Sequence, residues 1–382
     1  MRARAATAKP AFTYLLVGAL AAATFAACGS GDNLDTDSPP TSRAGKFPAV
    51  AVSTTVPVTN AFGRPTKPST ATTVKKSSKP STATTMAPTP TSQLPAGRVK
   101  PAEAGLPTAR TGVGGTMWRG QVVVVGGSTA SGRTSARVDV FDPQSGVWSS
   151  GPTLPVALHD AAVSTLGDDL WVVGGFAAEG DQDVAVATSY YFHPGDADWR
   201  TGPTLQTARG GAAIATVGAF LFVIGGQTTD GGVLDTVEVL PAGGSAWRDN
   251  VPPLTRKRAY ASALAMNGRV YVVGGRAEGV STALDSVESW HAGATTWRNE
   301  SHLAEPRASA AGAGSCVAGG ENGSGTVATV ECFGDGFWTT AFQMRAPRYG
   351  ASAALLDGYL HVTGGTQGDS VSATHEVFDL GA

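Results

Sequence analysis

The chain has 382 residues, 42% of them hydrophobic, with 50 glycines and 23 prolines. That is apolar material enough for a real core, but long apolar periodic runs are few, which argues against a helical bundle and for many short strands and turns. Charge divides along the chain: residues 29–105 carry 9 Lys and Arg against 4 Asp and Glu, whereas residues 106–382 carry 16 against 26. An acidic folded part excludes nucleic acid as its expected partner.

From the N-terminus, Arg2, Arg4 and Lys9 precede an apolar run from Ala11 to Ala27. Basic residues before an apolar run that ends in small side chains mark an export signal, and 17 residues are short for a permanent span. The run ends in TFAAC, residues 24–28, which resembles the bacterial lipobox: Ala26, Ala27, Cys28 and Gly29 match, and Phe25 stands where that pattern has leucine. The resemblance implies that residues 1–27 are a lipoprotein-type signal peptide and that Cys28 receives lipid. An ordinary secretory signal with an incidental cysteine is the plainer alternative. Each buried methylene of an acyl chain contributes about 0.8 kcal/mol, so several chains hold a protein on a membrane. The expected location is extracytoplasmic, anchored by lipid at the cell surface or in the periplasm.

Residues 28–96 are dominated by Ser, Thr, Pro and Ala, and KPSTATT occurs at 67–73 and again at 79–85. With almost no large apolar side chains to offset ordering entropy, this stretch reads as a disordered linker, its basic charge suited to an anionic envelope surface.

Beyond it a unit repeats six times. Diglycines fall at Gly126-Gly127, Gly174-Gly175, Gly225-Gly226, Gly274-Gly275, Gly319-Gly320 and Gly364-Gly365, at spacings of 48, 51, 49, 45 and 45 residues. Each follows a short apolar run such as LFVI or VYVV, preceded by an Ala-, Ser- and Gly-rich segment and a turn, so the two segments read as a hairpin. A polar loop, a further β-like segment and a tryptophan follow, at Trp148, Trp199, Trp247, Trp297 and Trp338. A period near fifty residues with four strands predicts stacked supersecondary units. An unbroken apolar strand is expected where both faces are buried between neighbours, and glycines where the chain turns against crowded backbone.

These marks resemble kelch repeats. Phe141, Phe192 and Trp290 supply the late third-strand aromatic, with Leu240 in its place in one unit, and Arg110, Arg209, Arg258, Arg307 and Arg348 stand before the first strands, with Leu158 the exception. The resemblance covers residues 97–382 and implies an all-β fold, a six-bladed β-propeller of four-stranded antiparallel blades. The sixth unit stops at EVFDLGA without a fourth strand, so Gly97 to Ala102 is expected to complete the last blade and close the ring. In the fifth unit Arg307 precedes Gly319 by 12 residues where the others have 16, and Cys316 and Cys332 lie on adjacent strands. In an oxidising compartment they are expected to form a disulfide that staples this shortened blade.

Strand alternation places the five arginines and the loops after the diglycines on one face. Arg110, Arg209, Arg258, Arg307 and Arg348 are therefore candidate ligand-binding residues, able to grip carboxylates or sulfates in bidentate fashion. The competing reading is that each binds carbonyls or an acid and holds the repeat together. Asp139, Glu238, Glu288, Glu331 and Glu376 recur in the third strands and are read as structural. The loop with Glu179, Asp181 and Asp183 reads as a solvated acidic loop. His159, His193, His291, His302, His361 and His375 form no zinc pattern, and no nucleophile, phosphate or nucleotide motif appears. No catalytic residue, metal set or cofactor is assigned.

The expected function is a non-enzymatic, envelope-anchored recognition module, a monomeric propeller binding an envelope protein or an acidic glycan. The alternative is a sugar-active enzyme: the bacterial N-acetylneuraminate mutarotases are similar in architecture and compartment, and their chemistry needs an acid and a base near the axis. Galactose oxidase has a kelch-like propeller with copper held by tyrosines and histidines, but no such set aligns here.

Overall fold

The computed structural model describes residues 104–279 and 282–381. The signal segment, Cys28, the linker and the expected closing strand at 97–102 lie outside them. Among the described residues, six antiparallel sheets of three or four strands form a six-bladed β-propeller. Blade 1 is Gly114–Trp118, Gln121–Val125, Val138–Asp142 and Val147–Ser150, paired in that order. Blade 2 is Ala162–Leu166, Asp169–Val173, Ser189–Phe192 and Arg200–Thr201. Blade 3 is Ala213–Val217, Phe220–Ile224 and Val237–Pro241, its fourth strand reduced to a bridge between Val239 and Arg248. Blade 4 is Ser262–Met266, Arg269–Val273, Val287–His291 and Arg298–Asn299. Blade 5 is Ala311–Ala313, Cys316–Ala318, Thr329–Gly334 and Phe337–Gln343, and blade 6 is Ser352–Leu356, Tyr359–Thr363 and His375–Asp379.

The first strand of every blade touches the first strands of both neighbours, blade 6 touching blade 1, so the ring is closed around an axis. Small residues are frequent where the first strands crowd together: a Cβ on Gly115 would lie 2.7 Å from that of Ser352 across the blade 6 to blade 1 seam. The core is six slabs, one in each gap between blades, rather than one central mass. The second strands supply both walls of these slabs, which is why Val122 to Val125 and Leu170 to Val173 run apolar without alternation and are buried throughout.

The diglycines sit where one blade's backbone meets the next. Gly274 and Gly275 have φ of 65° and 94°, and a Cβ on Gly274 would lie 2.3 Å from the carbonyl oxygen of Arg307 in the following blade. The same approach supports a hydrogen bond, the Gly275 amide donating to the Arg307 carbonyl at 2.9 Å. It recurs in every gap: Gly127 to Leu158, Gly175 to Arg209, Gly226 to Arg258, Gly320 to Arg348 and, across the seam, Gly365 to Arg110, all at 2.8 to 2.9 Å. Only glycine combines positive φ with no side chain in the path of that carbonyl.

The front of the domain docks on its tail. Each chain segment passing between blades donates an amide back to the blade it leaves, Leu154 to Ala136, Leu205 to Ala187, Leu254 to Asp235 and Leu303 to Asp285; Leu106 does the same to Ala373 of the last blade. The tryptophans repeat the pattern from outside, Trp199, Trp247 and Trp297 donating to the carbonyls of Pro152, Pro203 and Pro252, and Trp148 to that of Ala104. Residues 104–106 thus stand to the last blade as each inter-blade segment stands to the blade before it.

Blade 5 has its first two strands cut to three residues each, and Cys316 and Cys332, directly opposed in register, form a disulfide. Closing a loop of this size contributes about 3 kcal/mol in the chain-entropy model. Changing both cysteines to alanine is expected to lower the denaturant midpoint by a corresponding amount without changing the native fold; an unchanged midpoint would show that the staple contributes nothing.

Candidate functional site

The five arginines do not form a ligand-gripping face, which corrects the expectation drawn from their recurrence. Arg110, Arg209, Arg258, Arg307 and Arg348 are each 0 to 1% exposed. Arg209 pairs with Glu238 at 2.7 Å, Arg258 with Glu288 at 2.5 Å and Arg348 with Glu376 at 3.3 Å, while Arg110 and Arg307 pair with Asp139 and Glu331. In four of these blades the guanidinium also donates to the carbonyl of the blade's own first diglycine residue, Arg258 to Gly274 at 2.9 Å being one case. The glutamates in turn accept backbone amides of the incoming segment, as from Gln206 and Thr207 to Glu238. Burial lowers the arginine pKa values and the paired carboxylates offset this in part, leaving charged groups spent on structure.

Blade 2 tests this reading internally. Leu158 stands in the arginine's place, and Tyr190, opposite Val172, stands where the other blades have the acid, as Glu288 stands opposite Val272. The pair has been exchanged as a pair, and both replacements pack in the cluster between blades 1 and 2. A buried ion pair can be replaced whole by apolar groups, but not halved.

The residues that do open onto this face lie one step beyond the structural marks. Two residues after each arginine position stand Gly112, Asp160, Gly211, Tyr260, Ser309 and Gly350, all left-handed with φ between 48° and 64°. Their backbones form a closed hydrogen-bonded ring: Asp160 donates to Gly112, Gly211 to Asp160, Tyr260 to Gly211, Ser309 to Tyr260, Gly350 to Ser309 and Gly112 to Gly350, at 2.7 to 2.9 Å. Between this ring and the arginine lies one residue per blade that bridges to the residue after the diglycine, giving the pairs Thr111 with Ser128, His159 with Phe176, Gly210 with Gln227, Ala259 with Arg276, Ala308 with Glu321 and Tyr349 with Thr366. Left-handed backbone at an aspartate, a tyrosine and a serine is strained and is held by the ring.

These positions enclose an axial cavity of about 590 Å³. Its polar groups are concentrated on blades 2, 4 and 5 as His159 and Asp160, Tyr260 and Arg276, and Ser309 and Glu321, with Gln227 and Tyr349 beside them. Arg276 pairs with Glu321 at 2.6 Å across two blades, and the Tyr260 hydroxyl donates to Gln227 Oε1 at 3.1 Å. Burial, aided by the charge of Asp160, raises the Tyr260 pKa to about 12, so its hydroxyl keeps its proton. His159 stacks on Phe176 and reaches Asp160 through Nδ1 at 2.9 Å and Asp183 through Nε2 at 3.3 Å. Burial lowers its pKa, but the hydrogen bonds and charges of Asp160 and Asp183 outweigh that, and the net shift is upward. Asp183, expected in a solvated acidic loop, is therefore partly engaged.

His361 and His375 are packed against each other, Nδ1 to Nε2 at 2.9 Å, and burial pushes the pKa of His375 down to about 3. They belong to the blade 6 to blade 1 seam, beside Phe141 and Trp148. Among the described residues no group of three or more His, Cys, Asp or Glu side chains is placed to hold a metal ion.

The family model for the Kelch motif matches residues 109–155 and 257–303, the first and fourth units. With six diglycine-bearing blades in a closed ring, the outcome is plain. The chain is a kelch-repeat propeller. Among curated proteins this kelch chain is 30% identical over 136 residues to Kelch repeat protein M-T8 of Myxoma virus (strain Lausanne), covering 35% of the chain and 26% of that protein. It is 23% identical over 239 residues to Kelch-like protein 23 of Homo sapiens, covering 60% of the chain and 41% of that protein. It is 29% identical over 135 residues to Beta-scruin of Limulus polyphemus, covering 34% and 15%. The kelch chain thus spans less than half the length of each of these relatives. The solved structure of YjhT superposes with a TM-score of 0.64 at 13% identity, covering 72% of this chain and 95% of that one, a likeness of fold.

Two outcomes test this site. Arg258→Leu alone should cost about 3 to 5 kcal/mol by stranding Glu288, and adding Glu288→Tyr should recover more than half of that, as in blade 2; a double variant no more stable than the single would contradict the paired reading. His159, followed by NMR, should titrate above the ordinary histidine value of 6.5. Because its folded pKa is raised, its stabilising contacts are complete below that value and are lost as pH rises through the folded one. Asp183→Asn should bring the titration down, and an unshifted titration in that variant would remove Asp183 from the account.

Proposed function

We propose that this propeller is a recognition module of the cell envelope, exported, tethered by lipid at Cys28, and carried on residues 28–96 as a spacer. It takes part of an envelope protein or a glycan into the axial cavity. The observation that supports this is the cavity itself. Its floor is a hydrogen-bonded backbone ring and its walls are side chains fixed by pairing across blades, so little ordering remains to be done on binding. Acidic ligands lose the special claim they drew from the arginines, since the guanidinium groups are buried. The stretch from 28 to 96 would let the propeller search the space above a membrane without constraining its orientation.

A second reading, a sugar-active enzyme of the epimerase or mutarotase type, is favoured by one observation: His159, hydrogen-bonded to Asp160, lines the same cavity as Tyr260, so an imidazole and a phenol face one space. Binding without turnover is the simpler use of the same wall.

The membrane tether is tested by Cys28→Ala, which should move the protein from the membrane pellet to the soluble fraction; equal distribution of both forms contradicts it. The cavity is tested by a thermal-shift screen with oligosaccharides and peptides. A ligand at about a hundredfold its Kd should stabilise the folded chain by about 2.7 kcal/mol. A shift that survives unchanged in Asp160→Asn places the binding elsewhere.

A further inference from the structure

The cavity wall has a property that bears on what it can hold: its charged groups are already engaged with one another. Arg276 is tied to Glu321, and His159 lies between Asp160 and Asp183. A carboxylate or sulfate entering the cavity would have to draw Arg276 or His159 away from a partner already in place, and would meet the carboxylates of Asp160 and Glu321 in doing so. An ammonium group would compete in the same way for carboxylates already engaged. Breaking a desolvated pair to make another returns little net free energy.

An extended peptide strand is disfavoured for a different reason. Strand addition needs a free sheet edge, and here the backbone amides and carbonyls of Gly112, Asp160, Gly211, Tyr260, Ser309 and Gly350 are consumed in their own ring. The next residue out on each blade is bridged to the position after the diglycine. What the wall does offer is acceptor capacity. Each carboxylate has about four lone-pair sites and keeps some after one ion pair, and the side-chain amide of Gln227 and the hydroxyls of Ser309 and Tyr349 add both donors and acceptors. Tyr260 and Tyr349 add aromatic surface beside these polar groups.

We infer that the axial cavity binds an uncharged saccharide, the end of a neutral glycan chain. Sugar hydroxyls donate to Asp160, Glu321 and Gln227, and accept from Arg276 without displacing its partner. This rests on the reading of the cavity as a recognition site and narrows its ligand to one class. The volume of about 590 Å³ lies within the range of small-ligand sites and leaves room for more than one sugar ring.

The test uses the full chain against an array carrying neutral oligosaccharides, the same chains bearing uronic acid, sulfate or amino groups, and acidic and basic peptides. Calorimetry then follows on the best ligand. A neutral oligosaccharide should bind, with an affinity that changes less than about twofold between about 0.05 and 0.5 M salt, because the ligand carries no charge to be screened. Asp160→Asn and Glu321→Gln should each weaken it about tenfold, the order expected for one hydrogen bond to a charged acceptor. Asparagine is chosen at 160 because it tolerates the left-handed backbone, and the melting curve of each variant reports whether it is folded. Neutral binding that both variants leave unchanged overturns the assignment to this cavity. Preferred binding of a charged saccharide or a peptide, salt-sensitive and lost in the same variants, overturns the ligand class and leaves the recognition reading standing. Binding of no saccharide overturns the inference, and the recognition reading falls with it only if the peptides fail as well.

Discussion

Each blade is fastened to the next by a recurring backbone hydrogen bond, in which the amide of a diglycine's second residue donates to the carbonyl at the arginine position of the following blade. The arginine works in both directions. Through its carbonyl it holds the blade before it, and through its guanidinium it holds the diglycine carbonyl and the acid of its own blade, as Arg258 holds Gly274 and Glu288. Two blades are thereby indexed to one residue, and the slabs of apolar side chains between them are brought into register. Leu158 keeps the backbone half of this arrangement and gives up the side-chain half, with Tyr190 giving up the acid. The carbonyl contact recurs in all six gaps, whereas the ion pair does not, which makes the former the stricter requirement.

That division of labour explains where function can reside. The residues that repeat are consumed by the fold, while those immediately after the arginine and after the diglycine face the axis and vary from blade to blade. Asp160, Tyr260 and Ser309 occupy equivalent places on different blades, as do Arg276 and Glu321 after their diglycines, while His159 stands where blades 4 and 5 have Ala259 and Ala308. A ring of identical backbone geometry therefore presents a set of unlike side chains, and the strain of left-handed Asp160, Tyr260 and Ser309 is held by a closed circle of hydrogen bonds. Fold and chemistry are written on adjacent positions of the same repeat.

The architecture was legible because it is periodic. Six diglycines, the apolar runs before them and the tryptophans after them specify blade number, strand order and the buried second strands. Cys316 and Cys332 were legible as a pair because the repeat puts them on adjacent strands, the second and third of one blade. The site was not legible, for the converse reason. Attention to recurrence selects Arg110, Arg209, Arg258, Arg307 and Arg348, and recurrence is the mark of a structural duty. The missing signal was available in part: Leu158 lacks its arginine in the one blade whose third strand also lacks its acid, which ties the two together. The cavity residues leave no such trace, since Asp160, Tyr260 and Ser309 share only a backbone conformation, and Arg276 meets Glu321 only once adjacent blades are in place.

The central claim is that the ring is closed at the blade 6 to blade 1 seam by the same contacts that join every other pair of blades. Native-state hydrogen exchange measures this directly through the amides of Gly365 and Gly112, compared with their counterparts Gly226 and Gly211 within the ring. The account predicts that the seam amides open only with the global unfolding that exposes the others. Exchange of Gly365 and Gly112 through a separate, low-energy opening, while Gly226 and Gly211 stay protected, would contradict it.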